Sequence, residues 1–288
     1  MNLNKVVIPA AGLGTRLLSI TKEIPKEMLP LYIMDSKSTI CLKPIVQIIF
    51  EQLFKTGLRE FCFIVGRGKR TIEDHFAPDY RYVDKLRALG NTQPAKELED
   101  FYKKIQESAI VWINQPEAKG FGKAVLLAKT FTNQEPFLVH AGDTYITSKN
   151  DEHLNHFTAI KEKEIAANLS LIQVKNTKHY GIAEVSGSTQ PYRVKKVIEK
   201  PDIAPTNLAL MPIYTFTENI YRALEETRPG KSNEIQLTDG IQKMIDWNQN
   251  VVAHDITGAL HLDIGTPENY WKALEQSHRY LANKKNNI

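Results

Sequence analysis

Cysteine is almost missing from this chain: Cys41 and Cys62 are the only two in 288 residues. One sits in a polar stretch and the other in an apolar segment, a pairing that supplies neither a disulfide framework nor a zinc site. A reducing compartment is therefore expected. Long apolar runs are also absent, none approaching the roughly 20 residues that a membrane helix requires. The opening Met1-Asn2-Leu3-Asn4-Lys5 leads straight into an apolar strand without a signal-peptide pattern, so a cytoplasmic protein with no membrane partner is expected. No excess of one charge stands out, since 37 Lys and Arg face 33 Asp and Glu for a net charge of +4. The basic residues are spread out, and Lys284-Lys285 is too short for a nucleic-acid arm, so no nucleic-acid partner is expected. Internal repeats and low-complexity segments are lacking as well.

What remains is an ordinary globular composition, 42% apolar and 24% charged. Strand and helix signals alternate from the start, which predicts an α/β fold with a mixed, mainly parallel sheet flanked by helices. Lys5-Val6-Val7-Ile8-Pro9 reads as a buried first strand. Pro44 opens a helix whose apolar face carries Ile45, Ile48, Ile49 and Leu53, Gly57 ends it, and Glu60–Val65 is the next strand. Residues 78–108 read as a polar insertion with one amphipathic helix built on Leu98, Phe101, Tyr102 and Ile105. Further strands are predicted at Ile110–Ile113, Phe137–Ala141, Asn168–Val174 and Arg193–Ile198, with a helix at Gly122–Phe131. A closing helix starts at Thr266-Pro267, with Tyr270, Ala273, Leu274 and Leu281 on its apolar face.

The chemistry concentrates at Ala10-Ala11-Gly12-Leu13-Gly14-Thr15-Arg16, directly after the first strand. A loop there lies outside the carboxyl end of the sheet, where its glycines let backbone N–H groups approach phosphate oxygens. The dinucleotide fingerprint fails because Leu17 replaces its third glycine, and no Gly-Lys-Ser/Thr completes a P-loop. Lys26 follows ten residues after Arg16. Two cations beside a glycine loop suit a triphosphate, whose charge must be neutralised before an anionic nucleophile approaches.

Gly12-Leu13-Gly14-Thr15-Arg16 with Lys26-Glu27-Met28-Leu29-Pro30 resembles the sugar-nucleotidyltransferase family. Further segments match in order: Gln115; Ala118-Lys119-Gly120-Phe121-Gly122; Gly142-Asp143; Tyr180-Gly181; Glu199-Lys200-Pro201; Asn233–Asp239; and Asp263-Ile264-Gly265. The resemblance covers Lys5 to about Ala282 and is strongest toward the branch that uses UTP and glucose 1-phosphate. It implies a Rossmann-like nucleotidyltransferase fold forming a single domain over 1–288. Within it a nucleotide-binding part would span about 1–145, a sugar-binding part about 146–265, and the closing helix about 266–282.

The roles it implies are these. Ala11, Gly12, Glu27, Gln115 and Gly120 would hold the uracil, with Gly14 and Thr15 in the nucleotide loop. Arg16 and Lys26 would hold the triphosphate, Lys200 the sugar phosphate, and Gly181 and Glu199 the glucose hydroxyls. Asp143 and Asp263 would bind Mg²⁺. UTP and glucose 1-phosphate would give UDP-glucose and pyrophosphate, from a homodimer or homotetramer. A thymidylyltransferase and a non-catalytic nucleotide-sugar binder are the alternatives.

Three stretches depart from the family pattern. The connection from Leu31 to Lys43 is long and is expected as a surface excursion. Pro212 stands where relatives keep glycine, near the sugar, and Val139–Asp143 is closer to the thymidylyl branch. His75, His140, His156 and His261 have no metal or triad spacing and are expected to be structural. Arg67-Gly68-Lys69-Arg70, the densest basic cluster, is expected as a solvated face.

Overall fold

The computed structural model describes residues 3–158, 165–230 and 233–286. Strand β1 (Lys5–Ala10) is buried along its whole length, as Val6-Val7-Ile8 requires of a strand covered on both faces. Three short 3₁₀ turns follow, at Thr15–Leu17, Ile20–Lys22 and Lys26–Met28. The expected surface excursion is an ordered hairpin, with β2 (Pro30–Met34) antiparallel to β3 (Ile40–Pro44). Its turn is closed by Asp35, whose carboxylate accepts the N–H groups of Lys37 and Thr39 at 2.9 and 2.7 Å. Helix α1 (Ile45–Lys55) buries the predicted face, and β4 (Glu60–Gly66) pairs parallel with β1 from Lys5–Glu60 to Ala10–Val65.

After α2 (Arg70–His75) the insertion holds two helices, α3 (Tyr80–Ala88) and α4 (Thr92–Gln106), where the sequence suggested one. Asp79 caps the first by accepting the Tyr82 N–H at 3.2 Å, and its apolar anchor is the single buried Val83. One anchor among charged neighbours leaves almost no periodic signal.

Strand β5 (Ala109–Gln115) leads to α5 (Phe121–Leu127) and α6 (Lys129–Thr132), which divide the predicted Gly122–Phe131 helix. Strand β6 (Phe137–His140) returns to the sheet, and β7 (Thr144–Thr147) leaves it. Then come α7 (Asn155–Thr158), β8 (Ala167–Gln173), β9 (Gly181–Ser186), β10 (Tyr192–Glu199) and β11 (Leu208–Phe216). The chain ends with α8 (Asn219–Glu225), α9 (Leu237–Asp246), β12 (Val251–Asp255), β13 (Leu260–Asp263) and α10 (Pro267–Asn286).

The main sheet runs β5-β4-β1-β6-β11-β8-β12-β10-β9. It is mixed, as expected, but unevenly so. The four strands from β5 to β6 are all parallel, because long crossovers carrying helices connect them. Beyond β6 only β8 and β12 pair in parallel, and the other neighbours are antiparallel. Strand β13 pairs with β7 in a separate ribbon. Helix α10 begins with Thr266, whose hydroxyl accepts the Asn269 N–H at 3.1 Å, and it packs on β2 and β13. Its apolar side, with Ala273 and Leu281 buried, is spent within the same chain. Among the described residues, no helix is long and apolar enough to cross a membrane.

His140 and His153 are buried and His254 is half-buried, and burial pushes each down to about 4. His156 stacks on His254 with ring centroids 4.3 Å apart, and this neighbour further opposes a charge on His254. Unfolding returns His140, His153 and His254 to an ordinary pKa near 6.5, so the unfolded chain binds more protons between that value and about 4. Stability is therefore expected to be complete above pH 6.5 and to fall as the pH drops toward 4. Urea midpoints at pH 7.0, 6.0 and 5.0 check this, and a flat series contradicts it.

Candidate functional site

The carboxyl ends of β1, β5 and β6 open onto a cavity of about 540 Å³, within the range of ligand pockets. Every site residue expected from the sequence lines it except Asp263, which borders a neighbouring cavity of about 130 Å³. Tyr180 belongs to both walls.

The loop after β1 owes its shape to Gly14, held at φ 67° by a turn that tucks Thr21 beneath it. The Thr21 hydroxyl donates to the Gly14 carbonyl at 2.8 Å, and a Cβ on Gly14 would stand 3.0 Å from the Thr21 Cβ. Lys26 comes from the third 3₁₀ turn and donates to Asp143, which β6 delivers through Gly142. The Gly142 N–H donates to the Pro9 carbonyl at 3.0 Å, and this tie sets Asp143 against the first loop. The Lys26 Nζ also lies against Gly12, where a Cβ would be 3.3 Å away. Burial opposes the charge on Lys26, but Asp143, Glu27 and Asp263 outweigh it and hold its pKa above the ordinary lysine value. Burial likewise opposes the charge on Asp143, and Lys26 outweighs it and keeps that carboxyl below the usual range.

Glu27 turns the other way. Its Oε2 is 2.7 Å from the Lys69 Nζ, with Glu27 only 1% and Lys69 only 7% exposed. Burial drives the Glu27 carboxyl up in spite of Lys69 and Lys26. The solvated face expected at Arg67–Arg70 is thus wrong for Lys69, the residue at the head of α2. A run of four mixed residues does not announce which member turns inward; the acidic partner lies 42 positions earlier.

Gln115 ends β5 in the cavity wall, 5% exposed, and its Nε2 finds no partner among the described residues. A buried amide donor left unpaired is costly unless a ligand takes the bond. Beside it in the wall, Gly120 has φ 96°, and a Cβ there would meet the Ile235 carbonyl at 2.6 Å. Only glycine lets 233–237 dock here, through Ile235 N–H to the Lys119 carbonyl and Gly122 N–H to the Ile235 carbonyl.

Glu199 ends β10. Its Oε2 accepts the Thr238 hydroxyl at 2.7 Å, and its Oε1 is 2.9 Å from the Lys200 Nζ. Lys200 has φ 41°, a strained value for a non-glycine residue, and its N–H donates to the Tyr180 carbonyl at 3.1 Å. Thr238 also walls Gly181, where a Cβ would stand 2.9 Å from its hydroxyl. Thr238 falls within the matching stretch Asn233–Asp239, yet nothing local marks it, because its partner Glu199 is 39 residues away. Pro212 lines the same cavity, and the β11–β8 pairing shifts between Met211 and Tyr214 around it.

Asp263 is held by the Gly265 N–H at 2.9 Å on Oδ1 and by the Asn269 amide at 2.6 Å on Oδ2. Among the described residues, no three His, Cys, Asp or Glu side chains cluster as metal ligands. A divalent ion would depend on the carboxylates of Asp143 and Asp263 with water and ligand oxygens, a donor set suited to a hard ion. The ammonium of Lys26, in the field of both, marks a place where a cation is already favoured.

A nucleotidyl transferase family model matches residues 5–279. The chain belongs to the nucleotidyl transferase family. This nucleotidyl transferase is 39% identical over 268 residues to UTP–glucose-1-phosphate uridylyltransferase of Bacillus subtilis, covering 91% of this chain and 87% of that protein. It is 34% identical over 279 residues to the Streptococcus pneumoniae protein of the same name, covering 94% and 88%. A structure of UDP-glucose pyrophosphorylase complexed with UDP-glucose superposes with a TM-score of 0.81 at 30% identity, over 96% of this chain and 99% of that one. The apo form of UDP-glucose pyrophosphorylase gives 0.85 at 30% identity, over 98% and 99%.

Proposed function

We propose that this nucleotidyl transferase moves a uridylyl group from UTP to glucose 1-phosphate, giving UDP-glucose and pyrophosphate. One observation carries the reading. A single cavity contains the Gln115 Nε2 donor, unpartnered among the described residues, the phosphate-suited pair Arg16 and Lys26, and a carboxylate oriented by Thr238 at Glu199. The names of the relatives and of the superposable structures point the same way.

A phosphate oxygen of the sugar phosphate attacks the α-phosphorus, and the bond to the bridging oxygen breaks with its electron pair leaving on pyrophosphate. The nucleophile is already anionic, so no general base is required. Gln115 reads the pyrimidine edge, with Ala11, Gly12 and Gly120 admitting the flat ring and Glu27 at its border. Arg16 and Lys26 neutralise the triphosphate from the Gly14-Thr15 loop, and Lys200 orients the attacking phosphate. Glu199 and Gly181 hold the sugar hydroxyls. Mg²⁺ held by Asp143 and Asp263 would add charge neutralisation at the phosphates.

Pyrophosphate release across UTP, dTTP, ATP, CTP and GTP against several sugar 1-phosphates, with Mg²⁺ or EDTA, tests the reading. Metal-dependent turnover restricted to UTP and glucose 1-phosphate is expected. Preference for dTTP moves the protein to the thymidylyl branch, and silence on all pairs overturns the enzyme. Pro212→Gly is expected to change KM for glucose 1-phosphate by on the order of tenfold, leaving KM for UTP unchanged. Equal shifts in both constants would remove Pro212 from the sugar site.

A further inference from the structure

We propose that Lys26 is the internal counter-ion of Asp143, so that a divalent cation enters only when a nucleotide triphosphate draws Lys26 away. The inference rests on the assignment of Asp143 as a metal ligand. Its basis is the position of one ammonium group. The Lys26 Nζ donates to Asp143 Oδ2 and at the same time lies against Gly12 of the nucleotide loop.

The surroundings make this an exchange and not a static pair. Behind the side chain, the turn is pinned by Glu27, which the buried Lys69 holds at 2.7 Å. The backbone is therefore anchored, and any exchange of partners falls to the flexible four-carbon stem of Lys26. Asp263 cannot take the place of Asp143 alone: each of its oxygens already accepts one hydrogen bond and keeps a single further lone pair, so a divalent ion needs Asp143 as well. A metal arriving alone would set two cations on one carboxylate, or strand the ammonium of Lys26 in a buried site. Either outcome is costly. A triphosphate in the Gly12–Gly14 loop gives Lys26 a second anion within a short swing, and Asp143 is then released. Metal and nucleotide thereby favour each other's binding, and the coupling is reciprocal.

Mn²⁺ alone, titrated into nucleotide-free protein and followed by the EPR signal of the free ion, tests the exchange. Lys26→Met is expected to bind Mn²⁺ at least tenfold more tightly than wild type. Adding Asp143→Asn to that variant is expected to abolish the gain. Equal affinity of wild type and Lys26→Met overturns the proposal. So does a wild-type, nucleotide-free site as tight as that of the UTP complex and removed by Asp143→Asn, a comparison that needs no change at Lys26. The metal assignment fails separately: in that case wild type with UTP holds Mn²⁺ no more tightly than Asp143→Asn with UTP.

Discussion

Lys69→Met is expected to lower the melting temperature by on the order of 10 °C, because it strands the Glu27 carboxylate inside the protein. Removing one member of a buried pair costs about 3–5 kcal/mol, most of it the desolvation of the ion left behind. Glu27 and Lys69 are both almost wholly buried, so solvent screening offers little relief. Burial already pushes Glu27 up with Lys69 present. Without Lys69 the folded variant binds the Glu27 proton more readily than the unfolded chain does. The deficit should therefore grow above the ordinary glutamate range and shrink as the pH falls into it. Lys69→Met combined with Glu27→Gln is expected to recover most of the lost stability, since neither charge of that pair then remains buried. Differential scanning calorimetry of the three proteins at two pH values checks this. A single variant melting within 2 °C or so of wild type would falsify the buried pair as a stabilising element.

Asp143→Asn is expected to reduce turnover by about 10²- to 10³-fold, the scale of removing one well-placed electrostatic group from a reacting phosphate or acyl centre. Asparagine keeps the volume and one oxygen but loses the charge that faces Lys26. Circular dichroism should remain that of wild type, since Asp143 stands in the cavity wall and not in the apolar core. Pyrophosphate release over a Mg²⁺ titration measures the effect. Full activity of the variant at saturating Mg²⁺ would rule out Asp143 as a metal ligand.

Much of the fold and the site was readable before any coordinates. The Val6–Ile8 run, the helix from Ile45 and the strand at Glu60 form the parallel unit they predict. The glycine loop, Lys26, Gln115, Glu199 and Asp143 converge on one cavity, as their matching segments implied. Other features were not readable, among them these three. The first helix of the insertion, α3, rests on a single buried valine, too little for a periodic pattern. The Leu31–Lys43 excursion is a hairpin, and α10 covers its first strand from the far end of the chain. The inward turn of Lys69 depends on a partner in a different loop.

The sequence by itself determined the first parallel unit, several later strands, the closing helix and the chemical inventory, because strand and helix periodicity and glycine-bearing turns are local properties of the chain. It also determined which cations, carboxylates and amides stand at the ends of the sheet strands. Tertiary structure alone decided how those groups pair: Lys26 with Asp143, Glu27 with Lys69, Glu199 with Thr238. Those partners lie 117, 42 and 39 residues apart. The physical reason is that a charge takes its partner from whatever the packed fold brings within a few ångströms, and burial then fixes the strength of the pair. Neither quantity is written in the spacing of residues along the chain.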